Sequence, residues 1–189
     1  MGKVLFIIDA QNDFCSQGGS LVCDGAEKAV ENICRLIDTI NIKFDKIICT
    51  KDCHNEDYLE TNEGKKLPVK HCIEGTWGYE LNKAIYDSLY GKNWKSVTKD
   101  SFMMDNSTLV GIVNKCKLDC EFYVCGFATD ICVLNNVLLL NRTVAENFYS
   151  YTPLYVIGDC CAGTTSKMHD LALEIMKTNL IDIITLNQI

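Results

Sequence analysis

The sequence predicts an α/β protein of three layers, in which a mainly parallel sheet carries helices on both faces. Short apolar runs alternate with segments of 3.6-residue periodicity, which is the pattern of parallel strands joined by crossover helices. The runs are continuous, as in residues 4–8, which is typical of strands covered on both faces. The 189 residues suit one such unit and contain neither a repeat nor a linker, so we expect a single domain over residues 1–189.

In the first half of the chain, residues 4–8 form the first predicted strand because all five are apolar. From Ala26, apolar residues recur at helical spacing as far as Ile40 and predict a helix. Residues 46–50 again have the pattern of a buried strand. An irregular stretch, residues 51–78, follows and contains two of the three histidines.

The second half continues the alternation of elements. Periodic apolar spacing predicts helices at residues 79–90, 107–116, 130–141 and 167–177. Short apolar runs predict strands at residues 94–98, 122–126, 154–158 and 181–186. The turn at 127–130 joins a strand directly to a helix.

Charge and hydropathy exclude two classes of partner. The 25 acidic side chains outnumber the 18 basic ones, which gives a net charge of −7. Nucleic acids and anionic membranes are bound through clustered lysine and arginine, so we expect neither as a partner. The longest apolar run, residues 4–8, is too short for a membrane span or a secretory leader.

The chain has twelve cysteines, and none forms a Cys-x-x-Cys pair. Several stand in apolar segments, among them Cys34, Cys49 and Cys125, where a free thiol packs as a small hydrophobic group. Disulfide scaffolds are usually shorter and poorer in core residues. We therefore expect mostly structural thiols in a cytoplasmic protein.

Polar residues follow several predicted strands. Asp9 comes directly after residues 4–8, Asp52 lies just past residues 46–50, and the loop 127–132 follows residues 122–126. Ligands of open parallel sheets bind beyond the carboxyl ends of the strands, so this edge is the candidate site. A helix cap or a turn is the alternative role for Asp9.

Cys132 stands at the predicted start of a helix, after a tight turn with Gly126 and Ala128. Backbone N–H groups at a helix N-terminus lower the pKa of a thiol, so the position suits a nucleophile. The alternative is a buried structural thiol, which position alone favours in a chain with this many cysteines.

Asp52 and His54 are two residues apart in an extended segment, so their side chains share a side. His71 lies in the irregular stretch, which can fold back toward them. Carboxylate and imidazole ligands suit zinc, manganese or iron. The alternative for this set is that the three are ordinary polar residues of the surface.

Two further residues have simple alternatives. Lys99 follows the predicted strand 94–98, where a solvated lysine is the ordinary interpretation. His169 lies in the predicted helix 167–177, where a structural role is the alternative to a role as a ligand.

Four segments occur in an order that resembles the isochorismatase-like cysteine hydrolases, and among them the nicotinamidases. They are residues 7–14 (IIDAQNDF), 50–54 (TKDCH), 98–102 (TKDSF) and 126–133 (GFATDICV). With residues 159–163 (DCCAG), the resemblance extends over essentially the whole chain.

The resemblance implies a catalytic triad. Cys132 would be the nucleophile, Asp9 would accept its proton, and Lys99 would position Asp9 and add positive potential. Members of the family have a cis peptide in the turn, here Phe127–Ala128. The N–H groups of Ala128 and Cys132 would then form the oxyanion hole.

The resemblance also implies a divalent metal, with zinc expected first and manganese or iron as alternatives. Its ligands would be Asp52, His54 and His71, with Glu63 as the fourth and Glu60 or water as the alternative. The substrate ring would contact Phe14 and Phe127. The tryptophan that many members carry before the last histidine is absent, since residues 67–70 read LPVK.

The implied activity is hydrolysis of nicotinamide to nicotinate and ammonia, a step of NAD salvage, through a thioester intermediate. An amidase of the same superfamily for carbamoyl or ureido substrates is one alternative, although such members generally lack the metal ligands. A non-catalytic ligand- or metal-binding protein is the other. The expected partner is a small amide, and a homo-oligomer remains open.

Overall fold

The computed structural model describes residues 2–38, 42–116, 120–148 and 150–189. Six strands form one parallel sheet in the order β3-β2-β1-β4-β5-β6. Their bounds are β1 Gly2–Ile8, β2 Lys46–Asp52, β3 Trp94–Lys99, β4 Cys120–Phe127, β5 Leu154–Ala162 and β6 Asp182–Ile184. The helices are α1 Asn12–Cys15, α2 Ala26–Asp38, α3 Lys83–Ser88, α4 Asn106–Val113, α5 Leu134–Asn147 and α6 Ser166–Thr178. The predicted α/β fold class is confirmed.

The strand order reverses beside β1. From β1 the chain adds β2 and β3 on one side, and then returns to add β4, β5 and β6 on the other. Right-handed crossovers in opposite directions place the helices of the two halves on opposite faces of the sheet. The crevice at such a reversal is the usual ligand site of an open parallel sheet. Here it lies between the residues that follow β1 and those that follow β4.

The core covers both faces of β1. Residues 4–8 are at most 3% exposed, which explains why this strand is continuously apolar. β1 pairs with β2 through Val4–Ile7 and with β4 along its whole length. The ends of β1, β2 and β4 are therefore held in fixed positions relative to one another.

Several boundaries differ from the prediction for local reasons. The helix predicted at residues 79–90 spans only Lys83–Ser88, because the Asn82 side chain caps it by accepting from the N–H groups of Ala84 and Ile85. The helix predicted at residues 107–116 is Asn106–Val113, capped by Asp105. The final strand is shorter than residues 181–186. The Ile40 end of the helix that begins at Ala26 lies outside the described residues.

The segment after β4 also differs from the prediction. Thr129–Val133 forms one π-helical turn, and α5 begins only at Leu134 and continues to Asn147. Cys132 is therefore in the π-helical turn rather than in the first turn of an α-helix. β5 extends to Ala162, well past the predicted end at residue 158.

Two further findings concern the cysteines and the hydropathy of the helices. All twelve cysteines are free thiols. Among the described residues, no helix combines the length and the apolar character that crossing a membrane requires.

Gly126 allows the ends of β1 and β4 to approach. Its φ of +125° is in the region that favours glycine, and an added Cβ would lie 2.1 Å from the Ile8 carbonyl oxygen. The Ile8 oxygen is a backbone atom, so a side-chain movement cannot relieve this contact. The positive φ of residue 126 would also remain unfavourable for alanine.

We expect Gly126→Ala to lower the free energy of unfolding by roughly 3 kcal/mol or more, or to prevent folding. Gly111→Ala is the matched control, because a Cβ at this position in α4 would meet nothing within 4 Å. Removing a helical glycine should stabilise the protein by about 0.5–1 kcal/mol. Urea unfolding followed by circular dichroism measures both, and equal stabilities would contradict this account.

Candidate active site

Asp9 is fixed at the end of β1 by Thr50 of β2. The Thr50 hydroxyl donates to Asp9 Oδ1 over 2.5 Å, and Asp9 N–H donates to Thr50 Oγ1 over 3.0 Å. Asp9 is completely buried and has a φ of +44°, which is unusual for a residue other than glycine. Its side chain is thus held in one orientation at the crevice, and a capping role does not explain it.

Lys99, at the end of β3, is a buried cation rather than a solvated lysine. Its Nζ lies 2.6 Å from Asp9 Oδ2 and 3.1 Å from Asp52 Oδ1, and it donates to the Ser101 carbonyl oxygen over 3.0 Å. Burial acts to lower the pKa of Lys99, but the charges of Asp9, Cys132 and Asp52 outweigh it and raise the pKa. The ammonium therefore stays charged.

Cys132 completes this group. Its Sγ lies 3.6 Å from Lys99 Nζ, and the residue is 5% exposed. The peptide bond Phe127–Ala128, which leads into the π-helical turn, is cis. The structure thus brings the three predicted triad residues together from the ends of β1, β3 and β4.

The expected lowering of the Cys132 pKa is wrong. Burial raises the pKa of the thiol well above its ordinary value, and the charge of Asp9 adds to this, whereas Lys99 opposes it. Loss of solvation of the buried thiolate outweighs the attraction of the Lys99 charge. Burial also raises the pKa of Asp9 against the opposing charge of Lys99, which makes Asp9 a stronger base.

A second buried group, Asp52, His54 and His71, adjoins the triad. Their ligand atoms all lie within 4.8 Å of one another, and Asp52 Oδ2 is 3.0 Å from His54 Nε2 and 3.4 Å from His71 Nε2. Burial acts to raise the pKa of Asp52, but hydrogen bonds from both histidines and the charge of Lys99 hold it far below its usual range. Asp52 is therefore an ionised carboxylate.

Glu63 faces the same group. Its Oε1 lies 3.8 Å from His54 Nε2 and 3.6 Å from His71 Nε2. Glu60, the alternative, pairs with Lys65 over 2.6 Å, and its side chain is 77% exposed. The structure therefore places Glu63 and not Glu60 beside the histidines.

These residues fit a metal ion. His71 Nδ1 lies 2.8 Å from the Val69 carbonyl oxygen, which suits an N–H donor, so Nε2, the nitrogen that faces Asp52, would be the ligand atom once it has lost its proton. A tetrahedral ion with ligand bonds of about 2.1 Å sets its ligand atoms roughly 3.4 Å apart, which is close to the separations in this group. Two imidazoles and two carboxylates suit a borderline divalent ion such as zinc.

The two predicted ring-contacting residues have different environments. Phe14 lies against His71 with ring centroids 5.6 Å apart and is 8% exposed, so its ring lines the metal-ligand group. Phe127 is completely buried within the apolar core. A direct contact between the Phe127 side chain and a substrate stays a prediction, and its burial favours a packing role beneath the turn.

Sequence reasoning missed several supporting residues. Gln11 is completely buried and hydrogen-bonds to the backbone at the end of β2. Its Nε2 donates to the Asp52 carbonyl oxygen over 2.8 Å, and its Oε1 accepts from the Asp52 N–H over 2.7 Å. Tyr58 is also completely buried, with its ring centroid 4.7 Å from that of His54 and 4.9 Å from that of His71. The sequence signals for Gln11 were its place two residues after Asp9 and its position within the family segment of residues 7–14.

His169 has the structural environment that was expected as one alternative. Its Nδ1 lies 2.8 Å from the Thr129 hydroxyl, in the turn that carries Cys132. The metal-ligand group found among the described residues does not include it.

Comparison with known proteins gives one consistent result. The isochorismatase domain family model matches residues 3–188. A nicotinamidase of Saccharomyces cerevisiae is 28% identical over 169 residues, which cover 69% of this chain and 77% of the yeast protein.

Solved structures share the fold. A nicotinamidase/pyrazinamidase of Bacillus subtilis superposes with a TM-score of 0.78 at 23% identity, covering 97% of this chain and all of that one. A pyrazinamidase of Pyrococcus horikoshii in complex with zinc gives 0.70 at 24% identity, covering 98% and 99% of the two chains. Because the family model matches nearly the whole length, this chain belongs to the isochorismatase domain family.

Proposed function

We propose that this protein is a metal-dependent amidase that hydrolyses nicotinamide to nicotinate and ammonia. The observation that carries the proposal is the contact between two buried groups, in which Lys99 Nζ touches both Asp9 of the triad and Asp52 of the metal-ligand set. A nucleophile and a metal group this close can act on one small molecule. The similarity to nicotinamidases supports nicotinamide as that molecule.

In the first step, Asp9 accepts the proton of the Cys132 thiol as Sγ forms a bond to the carboxamide carbon. The carbonyl oxygen becomes an oxyanion, which the N–H groups of Ala128 and Cys132 are proposed to stabilise. Asp9 then gives its proton to the amide nitrogen, the carbon–nitrogen bond breaks, and ammonia leaves. Cys132 is left as a thioester of the pyridine acid.

In the second step, Asp9 removes a proton from a water molecule whose oxygen attacks the thioester carbon. The carbon–sulfur bond breaks and the pyridine acid leaves, becoming nicotinate as its remaining proton passes to the released ammonia in solution. The proton returns from Asp9 to Sγ, which restores the thiol. Lys99 stays in contact with Asp9 throughout, as an ion pair whenever Asp9 is ionised, and so holds the carboxyl group toward Sγ.

The divalent ion, with zinc as the expected metal, is proposed to be held by Asp52, His54, His71 and Glu63. When bound, the ion supplies a ligand position for the pyridine nitrogen, which orients the carboxamide. Phe14 is proposed to lie against the ring. An open coordination position for substrate distinguishes such a site from a closed structural zinc site.

Three broader assignments complete the proposal. Residues 1–189 act as one domain, which the extent of the family match supports. The partner is a small amide, and the product enters NAD salvage. The location is cytoplasmic, which the twelve free thiols favour.

Cys132→Ala should abolish ammonia release from nicotinamide and from pyrazinamide, because it removes the thiol that is proposed to form the thioester. Cys34→Ala is the matched control, since this half-buried thiol lies on α2, away from the crevice. Coupled ammonia assays measure both variants. Wild-type turnover in Cys132→Ala would exclude it as the nucleophile.

Asp9→Asn should lose most activity because an amide cannot accept the thiol proton. Lys99→Ala should lose a similar amount because it removes a charge that holds both carboxylates. When Cys132 is already alanine, each change should lower the remaining rate of ammonia release by about tenfold or less, since the effects of residues that act as one unit are non-additive. Losses that add fully in the double variants would argue against a triad.

Purified protein should contain about one divalent ion per chain, and His54→Ala and His71→Ala should lose it. Glu63→Gln should weaken metal binding at least about tenfold, whereas the matched variant Glu60→Gln should bind as the wild type does. Elemental analysis after dialysis against a chelator measures all four. Full activity of metal-free wild type would overturn the metal proposal.

A further inference from the structure

Asn136 ties the turn that carries Cys132 to the segment that follows Lys99. Its Nδ2 donates to the carbonyl oxygens of Cys132 over 2.8 Å and of Phe102 over 3.0 Å. Its Oδ1 accepts from Met104 N–H over 2.8 Å. The residue lies in α5 and is 6% exposed. A single buried amide thus bonds to three backbone groups in two separate segments.

The second of these segments is residues 100–105, which we call the β3–α4 loop. It begins beside Lys99, whose Nζ donates to the Ser101 carbonyl oxygen, and it ends at Asp105, which caps α4. Phe102 and Met103 are 43% and 41% exposed, so much of the loop gains little from burial. Met104 is the exception, at 2% exposed, so the loop is held by this buried side chain and by its polar contacts.

This loop also forms part of a cavity of about 620 Å³. Lys99, Ser101, Met103 and Met104 are among the residues that line it. Lys99 is the triad residue that this cavity reaches. Movement of the loop would therefore change the surroundings of the ammonium directly.

We infer that Asn136 is a positioning residue that fixes the β3–α4 loop against the nucleophile turn. It thereby holds the Ser101 carbonyl, the Lys99 ammonium and the Cys132 thiol in one arrangement. The inference rests on the proposed hydrolysis at Cys132. A displacement of about 1 Å between reacting groups can cost roughly 100-fold in rate, so a tether that touches no substrate affects the chemistry.

Two substitutions separate the bonds of this amide. Asn136→Ala removes all three. Asn136→Asp keeps an acceptor for Met104 N–H, but sets an oxygen against the carbonyl oxygens of Cys132 and Phe102, which it cannot pair with. The aspartate variant thus isolates the two donated bonds and gives a second measurement if the alanine variant does not fold.

Asn135→Ala is the matched control. The Asn135 Nδ2 donates to the Ile131 carbonyl oxygen over 2.8 Å, which is the same bond to the fourth preceding residue that Asn136 makes to Cys132. Asn135 has no hydrogen bond to the β3–α4 loop among the contacts of the described residues. It therefore reports the loss of a side-chain-to-helix bond alone.

The experiment measures hydrogen exchange of the loop amides, and kcat and KM for nicotinamide, in the metal-loaded protein. In Asn136→Ala, the Met104 amide should exchange faster, and kcat should fall at least about tenfold while KM changes less than about threefold. In Asn136→Asp, Met104 should stay protected although kcat falls. Asn135→Ala should match the wild type in all three quantities.

Unchanged Met104 exchange in Asn136→Ala, an unchanged kcat in both Asn136 variants, or an equal loss in Asn135→Ala would overturn the inference. An increase in KM as large as the loss in kcat would also overturn it, because it would indicate damage to substrate binding. If the wild type releases no ammonia from nicotinamide, the proposed function is wrong. The exchange of Met104 then still decides whether Asn136 holds the loop.

Discussion

The buried ammonium of Lys99 is the constraint on which the site depends. It lies between two carboxylates, Asp9 and Asp52, that are at most 4% exposed. Two carboxylates in one dry crevice would not both stay ionised without a cation, since like charges raise each other's pKa. Taking these charges out of water costs several kcal/mol per ion, which their mutual attraction offsets only while every partner is present.

Through Lys99, the proposed triad and the proposed metal-ligand group form one electrostatic unit. The two oxygens of Asp52 contact different groups. Oδ1 contacts Lys99, and Oδ2 contacts His54 and His71. A divalent ion among these ligands would reduce the negative charge that Lys99 otherwise balances alone. The strand order explains how residues so distant in sequence meet, because β1, β2, β3 and β4 are neighbours and their carboxyl ends share one edge.

The sequence was most informative where backbone geometry alone decides position. Residues after parallel strands must meet at the sheet edge, so Asp9, Asp52 and Lys99 could be assigned from pattern and family resemblance. Burial could not be read in the same way, and the pKa of Cys132 was therefore expected in the wrong direction. Gln11 and Asn136 hydrogen-bond to backbone atoms of distant segments, and these contacts depend on loop paths that no local pattern encodes.

In the proposed function, a bound metal orients the ring nitrogen of the substrate so that the carboxamide meets Cys132. The most direct test compares kcat/KM for ammonia release from nicotinamide and from benzamide, which has the same carboxamide but no ring nitrogen. We expect kcat/KM to favour nicotinamide by at least about 100-fold, because a polar group of the site left without its partner strongly disfavours the analogue. Equal kcat/KM values for the two amides would contradict it.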